Sequence, residues 1–245
     1  MTVRLEIVPA ADWADRVARE LIERLRAQPD LRLCLPTGDT PTPVFERLVA
    51  ASHRAEVSFA AVTVIALDEF VGLDPWDPAR CDQRLRRELL DGLAEPPRAV
   101  HLVDAADPDP AAAAARHDSI AAAGLDLVLL GLGMNGHVGL NEPGSLADSP
   151  TRVVETAATS RAAALDRYGA ASAPTLGITL GLDRLLAAGE VWLLVSGERK
   201  AGILARTLED PEGSEVPATF LRRHPRLTVF ADDAAAGRRN AAGGR

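Results

Sequence analysis

The chain has 245 residues, 47% of them hydrophobic, and a formal net charge of −8; this suits one large α/β domain or two small ones and argues against nucleic acid as the main partner. Aromatic residues make up only 4%, so the core must be aliphatic. No apolar run is long enough to span a membrane, no signal-peptide layout opens the chain, and Cys34 and Cys81 lack the spacing of a metal site or a disulfide scaffold, so the expectation is a soluble cytoplasmic protein.

In chain order, VRLEIV (3–8) predicts a strand and is followed by an amphipathic helix near 10–28. LRLCLP (31–36) predicts the next strand, which leads through 36-PTGDTP-41 to a helix near 43–52. VTVIAL (62–67) ends in the acidic stretch 67-LDEFVGL-73, with a helix near 79–93 behind it. AVHLV (99–103) precedes an alanine-rich helix near 109–123. LDLVLLGLG (125–133) enters a long Gly/Asn loop, and LGITLG (176–181), EVWLLVS (190–196) and LTVFAD (227–232) complete the strands. These runs are nearly continuous rather than alternating, as strands buried on both faces should be. The expectation is a single doubly wound, mostly parallel sheet with helices on both faces, Rossmann-like, formed by residues 1–236, with 237–245 as a flexible tail.

In such sheets ligands bind beyond the carboxyl ends of the strands. That rule selects the loops after 31–36, 62–67, 125–133 and 190–196. The first is a small-residue loop leading into a helix, a form that holds anions on backbone N–H groups, although Asp39 sits in its middle. The second offers Asp68 and Glu69; neighbouring strand residues point to opposite faces, so at most one faces a given ligand. The third, 131-GLGMNGHVGLNEPGS-145, flanks His137 with glycines and places Glu142 five residues on, where it can orient the imidazole. The fourth sets Lys200 in the first turn of a helix, where a cation opposes the helix dipole; a bound anion would explain it.

Rare residues mark the same loops. Lys200 is the one lysine among 27 Lys and Arg residues, and two of the three asparagines, Asn135 and Asn141, share the His137 loop with Met134.

The ordered set LPTGDTP, LDEFVGL, GLGMNGHVGLNEPGS, GITLGLDRLLAAGEVWLLVSGERKA and ATFLRRHPRLTVFADDAA resembles the glucosamine-6-phosphate deaminase family, part of the wider group that contains 6-phosphogluconolactonases. The NGHVGLNEP form favours the deaminase side. The resemblance implies conversion of glucosamine 6-phosphate and water to fructose 6-phosphate and ammonia, with no metal and no cofactor. It implies that His137, helped by Glu142, opens the sugar ring, that Asp68 shuttles a proton between C2 and C1, and that Glu69 supports the site. Thr37, Gly38, Asp39, Thr40 and Lys200 would grip the phosphate with Arg167, preferred over Arg161. Gly133 and Gly136 would lie against the sugar. The implied partner is a small-molecule sugar phosphate, without nucleic acid or membrane, and the protein a monomer or homo-oligomer.

The chain also departs from the family pattern. Asn135 stands where several members carry Asp. In 77-DPARC-81, Arg80 and Cys81 replace Ser and Tyr near the pocket. The segment 161-RAAALDRYGAAS-172, which resembles the family's lid, is shortened. Allosteric members use an Arg-x-Lys pair where this chain has Arg152 and Val154, so no such activation is expected. Alternatives are the same scaffold acting on galactosamine 6-phosphate or on 6-phosphogluconolactone, or a catalytically silent sugar-phosphate-binding protein.

Overall fold

The computed structural model describes residues 3–237, so the expected tail over 237–245 lies outside the described residues apart from Gly237. The strands are β1 (Arg4–Val8), β2 (Arg32–Leu35), β3 (Thr63–Ala66), β4 (Asp68–Val71), β5 (Ala99–His101), β6 (Leu127–Gly131), β7 (Arg152–Glu155), β8 (Leu176–Thr179), β9 (Glu190–Val195) and β10 (Leu227–Asp232). The helices are α1 (Trp13–Ala27), α2 (Thr42–His53), α3 (Cys81–Glu88), α4 (Pro110–Ala121), α5 (Ala158–Asp166), α6 (Leu182–Leu186), α7 (Ala201–Glu209) and α8 (Asp233–Ala236).

Seven strands form one all-parallel sheet in the order β1-β10-β9-β6-β2-β3-β5. Its strands alternate between two buried faces. Leu33, Leu35, Val64, Ala66, Leu127, Leu129, Trp192 and Leu194 pack with α1, α2 and α3. Cys34, Ile65, Val128, Leu130, Val191, Leu193 and Val229 pack on the other side with α6, α7 and α8. The apolar positions of α1, Val17, Leu21 and Leu25, recur every fourth residue and face the first of these layers. The Asp109 carboxylate caps α4 by accepting from the N–H groups of Ala111 and Ala112 (3.0 and 3.1 Å), a contact of about 1 kcal/mol.

From β2 the chain steps outward to β3 and β5. From β6 it steps the other way, to β9 and β10. The two directions part between β2 and β6, which pair only through Leu33–Leu127 and Cys34–Val128. This is the switch point where a doubly wound sheet opens a crevice.

A second sheet corrects the expected single one. Strands β4, β8 and β7 form a small antiparallel sheet, with Asp68 opposite Thr179 and Arg152 also opposite Thr179. The run 176–181, expected in the parallel sheet, lies here instead. The stretch expected as an acidic loop after residue 67 is a strand. The chain leaves the main sheet at Leu67, whose N–H still donates to the Leu35 carbonyl (3.0 Å) and whose carbonyl accepts from Leu180 (3.0 Å). Leu67 therefore joins the two sheets, and Asp68 follows it at the seam. No helix among the described residues is long and apolar enough to cross a membrane.

Candidate active site

One cavity at the switch point gathers three of the selected loops with β4, α3 and the end of α5. Its lining includes Thr37, Gly38, Asp39, Thr40, Asp68, Cys81, Arg84, Gly133, Met134, His137, Arg167, Tyr168 and Lys200.

The loop between β2 and α2 supplies one wall. Gly38 has φ +134°, a left-handed conformation open to glycine, and this turns the chain into α2. The backbone N–H groups of Gly38, Asp39 and Thr40 donate to no acceptor among the described residues. They stand at the N-terminus of a twelve-residue helix, where its partial positive charge lies. Three cations meet this wall. Lys200, in the short helical turn Glu198–Lys200 ahead of α7, donates to the Leu132 carbonyl. Burial, followed by the charges of Arg167 and Arg199, pushes its ammonium down to about 8. Arg167, at the C-terminus of α5, reaches the cavity and pairs with Asp39. Arg84, from α3, is the third. Arg161 does not line the cavity; its guanidinium donates to the Thr156 carbonyl.

Asp68 lines the same cavity, while burial pushes its carboxyl up to about 6 against the opposing pull of a Cys81 hydrogen bond and the His137 and Arg84 charges. Room for it depends on Gly139, where a Cβ would lie 3.3 Å from the Asp68 carboxylate and 2.8 Å from Thr179 Oγ1.

Glu69 faces the other way, as strand geometry requires. Its carboxylate accepts from the backbone N–H groups of Phe70 (2.7 Å), Cys81 (2.8 Å) and Asp82 (2.8 Å), so it caps α3 and does not line the cavity. Arg80 is drawn there too, its Nε 3.8 Å from Glu69 and 2.9 Å from Asp82. The expectation that Arg80 sits at the pocket is thus corrected: its charge is consumed at the head of α3, and the next arginine along the helix, Arg84, is the one at the cavity.

His137 projects from the loop after β6. Its ring lies on Gly133, where a Cβ would come within 2.4 Å of ring atoms. Nδ1 is 3.0 Å from Glu142 Oε2, leaving Nε2 without a protein partner among the described residues. Glu142 is held in turn by Asn135 Nδ2 (2.9 Å), by the Ala157 N–H (3.3 Å) and by the Ser160 hydroxyl. Burial alone would raise the Glu142 carboxyl; the bonds from His137, Ser160 and Asn135 outweigh it and hold the group at about 2. Asn135 also fixes the loop by accepting from the His137 N–H (3.2 Å). Asn135 and Glu142 stand behind the imidazole rather than in the cavity. Gly136 lies outside the cavity as well. Its φ is +85° and a Cβ there would meet Val216 at 2.6 Å, so it is glycine for the turn, not for a sugar.

Sequence reasoning missed Arg84, Tyr168 and Ser160. Tyr168 stacks on the Arg84 guanidinium at 3.9 Å, and Ser160 belongs to α5, which covers the site. Among the described residues no group of three His, Cys, Asp or Glu side chains is arranged to hold a metal ion.

The family model for glucosamine-6-phosphate isomerases and 6-phosphogluconolactonases matches residues 8–229. A glucosamine-6-phosphate deaminase of Rhodopirellula baltica is 37% identical over 96% of this chain and 95% of its own length. A solved structure of a monomeric glucosamine-6-phosphate deaminase superposes with a TM-score of 0.89 at 28% identity, covering 96% of this chain and 99% of that one. A 6-phosphogluconolactonase of Thermotoga maritima shares the fold, with a TM-score of 0.75 at 21% identity over 94% of this chain and all of that one.

Proposed function

The chain belongs to the glucosamine-6-phosphate isomerase and 6-phosphogluconolactonase family, and from that membership and its site we infer that it is an amino-sugar-phosphate deaminase. It converts glucosamine 6-phosphate and water to fructose 6-phosphate and ammonia, in the cytoplasm. The observation that carries the reading is that Asp68 and the Glu142-bound His137 line one cavity together with the loop of free N–H groups and three cations.

The geometry supports the roles that the family resemblance implies. The phosphate takes the N–H groups of Gly38, Asp39 and Thr40, with the Thr37 and Thr40 hydroxyls, Lys200 and Arg167, and this fixes the sugar at one end. His137 uses its free Nε2 to move a proton at the ring oxygen as the pyranose opens, and Glu142 keeps the ring oriented and carries the balancing charge. Asp68 takes the C2 proton and returns it at C1, giving the ketose imine level from which water releases ammonia. A carboxyl raised to about 6 is ionised at neutral pH yet more basic than an ordinary aspartate, as such a shuttle needs. Incubation with glucosamine 6-phosphate, following ammonia and fructose 6-phosphate together, tests the reading. Absence of both products overturns it.

Two further outcomes are expected. The first is a two-sided pH profile of kcat/KM. Protonation of Asp68 removes the base, so the rate falls as pH drops through about 6. Deprotonation of Lys200 removes a phosphate partner, so it falls again as pH rises through about 8. Phosphate esters also titrate near 6, so a 13C titration of the Asp68 carboxylate in the free protein assigns the acid limb; a midpoint near 4 contradicts it. The second is hyperbolic kinetics. Arg152 is occupied internally, donating to Asn141 Oδ1 (3.0 Å) and to Ser145 Oγ (2.7 Å), so it does not serve an activator between subunits. A Hill coefficient clearly above one, restored to one by N-acetylglucosamine 6-phosphate, would show otherwise.

A further inference from the structure

We propose that Arg84 is a further anchor for the phosphate, and that the Asp39 carboxylate competes with the phosphate for Arg84 and Arg167. The inference rests on the sugar-phosphate reading of the cavity and concerns how this chain tunes it.

Arg84 is 5% exposed and yet lines the cavity. A guanidinium so placed is costly unless its charge is met and its plane is covered. Both conditions hold. Tyr168 stacks on it at 3.9 Å, and Glu88, one turn along α3, accepts from its Nε at 2.8 Å. Glu88 also accepts from the Thr42 hydroxyl at 2.8 Å, and Thr42 is the first residue of α2. The arginine is therefore registered against the helix whose N-terminus carries the unpaired N–H groups. Its remaining edge faces Asp39, with Nη2 3.8 Å from Oδ1. At that separation the opposite charges attract without forming a hydrogen bond.

Asp39 bonds Arg167 as well, so one carboxylate spans the two arginines. Its side chain is half exposed and can turn into water at small cost. A phosphate carries up to two charges and three acceptor oxygens, and it matches the planar fork of an arginine better than one shared carboxylate does. An anion of lower charge gains less from displacing Asp39. Affinity and discrimination between dianions and monoanions are thus set partly by a residue in the phosphate loop itself.

The test is titration of inorganic phosphate by calorimetry at pH 7.5, in wild type, Arg84→Gln, Arg84→Lys and Asp39→Asn, with KM and kcat for glucosamine 6-phosphate measured beside it. Arg84→Gln is expected to weaken phosphate about tenfold and to raise KM far more than it lowers kcat. Asp39→Asn is expected to tighten phosphate several-fold. If Arg84 only supports α3 and Tyr168, Arg84→Gln changes the melting temperature and leaves the phosphate Kd within about twofold, which overturns the proposal. Weaker phosphate binding in Asp39→Asn overturns the competition. Should Arg84→Gln fail to fold, Arg84→Lys decides: it keeps the charge but loses the fork, so a Kd weakened severalfold supports the anchor and an unchanged one removes it. The phosphate titration needs no turnover. A wild type that binds phosphate through Arg84 but releases no ammonia sinks the deaminase reading alone, and a deaminase indifferent to Arg84 sinks this one alone.

Discussion

Asp68→Asn is expected to lower kcat about a thousandfold, within the range that a positioned general base supplies, while the Kd for inorganic phosphate stays within about twofold. The amide is nearly the same size, so the packing against Gly139 and Thr179 survives. The amide cannot take a proton from carbon. It also relieves a buried charge that burial already disfavours, so the melting temperature should hold or rise. Exchange of the C2 proton with solvent deuterium, read by NMR on the bound sugar, should vanish along with product. If kcat falls less than tenfold, another group removes the proton and the assignment to Asp68 is wrong.

Gly133→Ala should also cost turnover heavily, although it removes no polar group. Among the glycines of positive φ, Gly133 is absent, so its backbone accepts an alanine. The obstacle is the His137 ring, with three atoms between 2.4 and 2.5 Å from the added carbon. The imidazole must turn away, and its 3.0 Å bond to Glu142 goes with it. Turnover should fall about a hundredfold, the order expected when a general acid–base group is misplaced. Thermal stability should change by only a few degrees, because the ring has an open cavity to enter. Activity within about threefold of wild type would show that ring placement over Gly133 is not needed for turnover.

The loop after β6 was legible because its residue types are costly to place for any structural reason. A histidine between glycines, two of three asparagines and a glutamate could be read as a site from sequence; His137, Asn135 and Glu142 bond one another, whereas Asn141 donates to the Val138 and Leu180 carbonyls and fixes the loop. The rare lysine was legible for the same cause. Arg84 was not, since it is one of many arginines, and what buries it is the ring of Tyr168, far away in the chain. Glu69, expected to support the site, caps α3 and does not line the cavity. The parallel sheet was plain from continuous apolar runs. The small sheet was hidden because antiparallel pairing sets it apart, not length or hydrophobic pattern: β8 lies in a run expected as a strand of the main sheet, and β4 and β7 carry Asp68, Glu69, Arg152 and Glu155. Asp39 looked out of place in an anion loop; two arginines at the rim account for it.

The order of the main sheet has a consequence for how the protein is made. β10 lies between β1 and β9, so among the described residues β1 pairs with no strand other than β10. The Trp13 indole waits as well, its Nε1 donating to the Phe230 carbonyl at 3.1 Å. On the ribosome, β1 and the apolar side of α1 therefore emerge long before the strand that seats them. A nascent chain that stops short of β10 leaves β1 and β9 without the partner between them and Trp13 without its acceptor, the kind of unpaired strand and uncovered aromatic by which chaperones and proteases recognise unfinished protein. β10 is thus the strand through which β1 is joined to the rest of the main sheet.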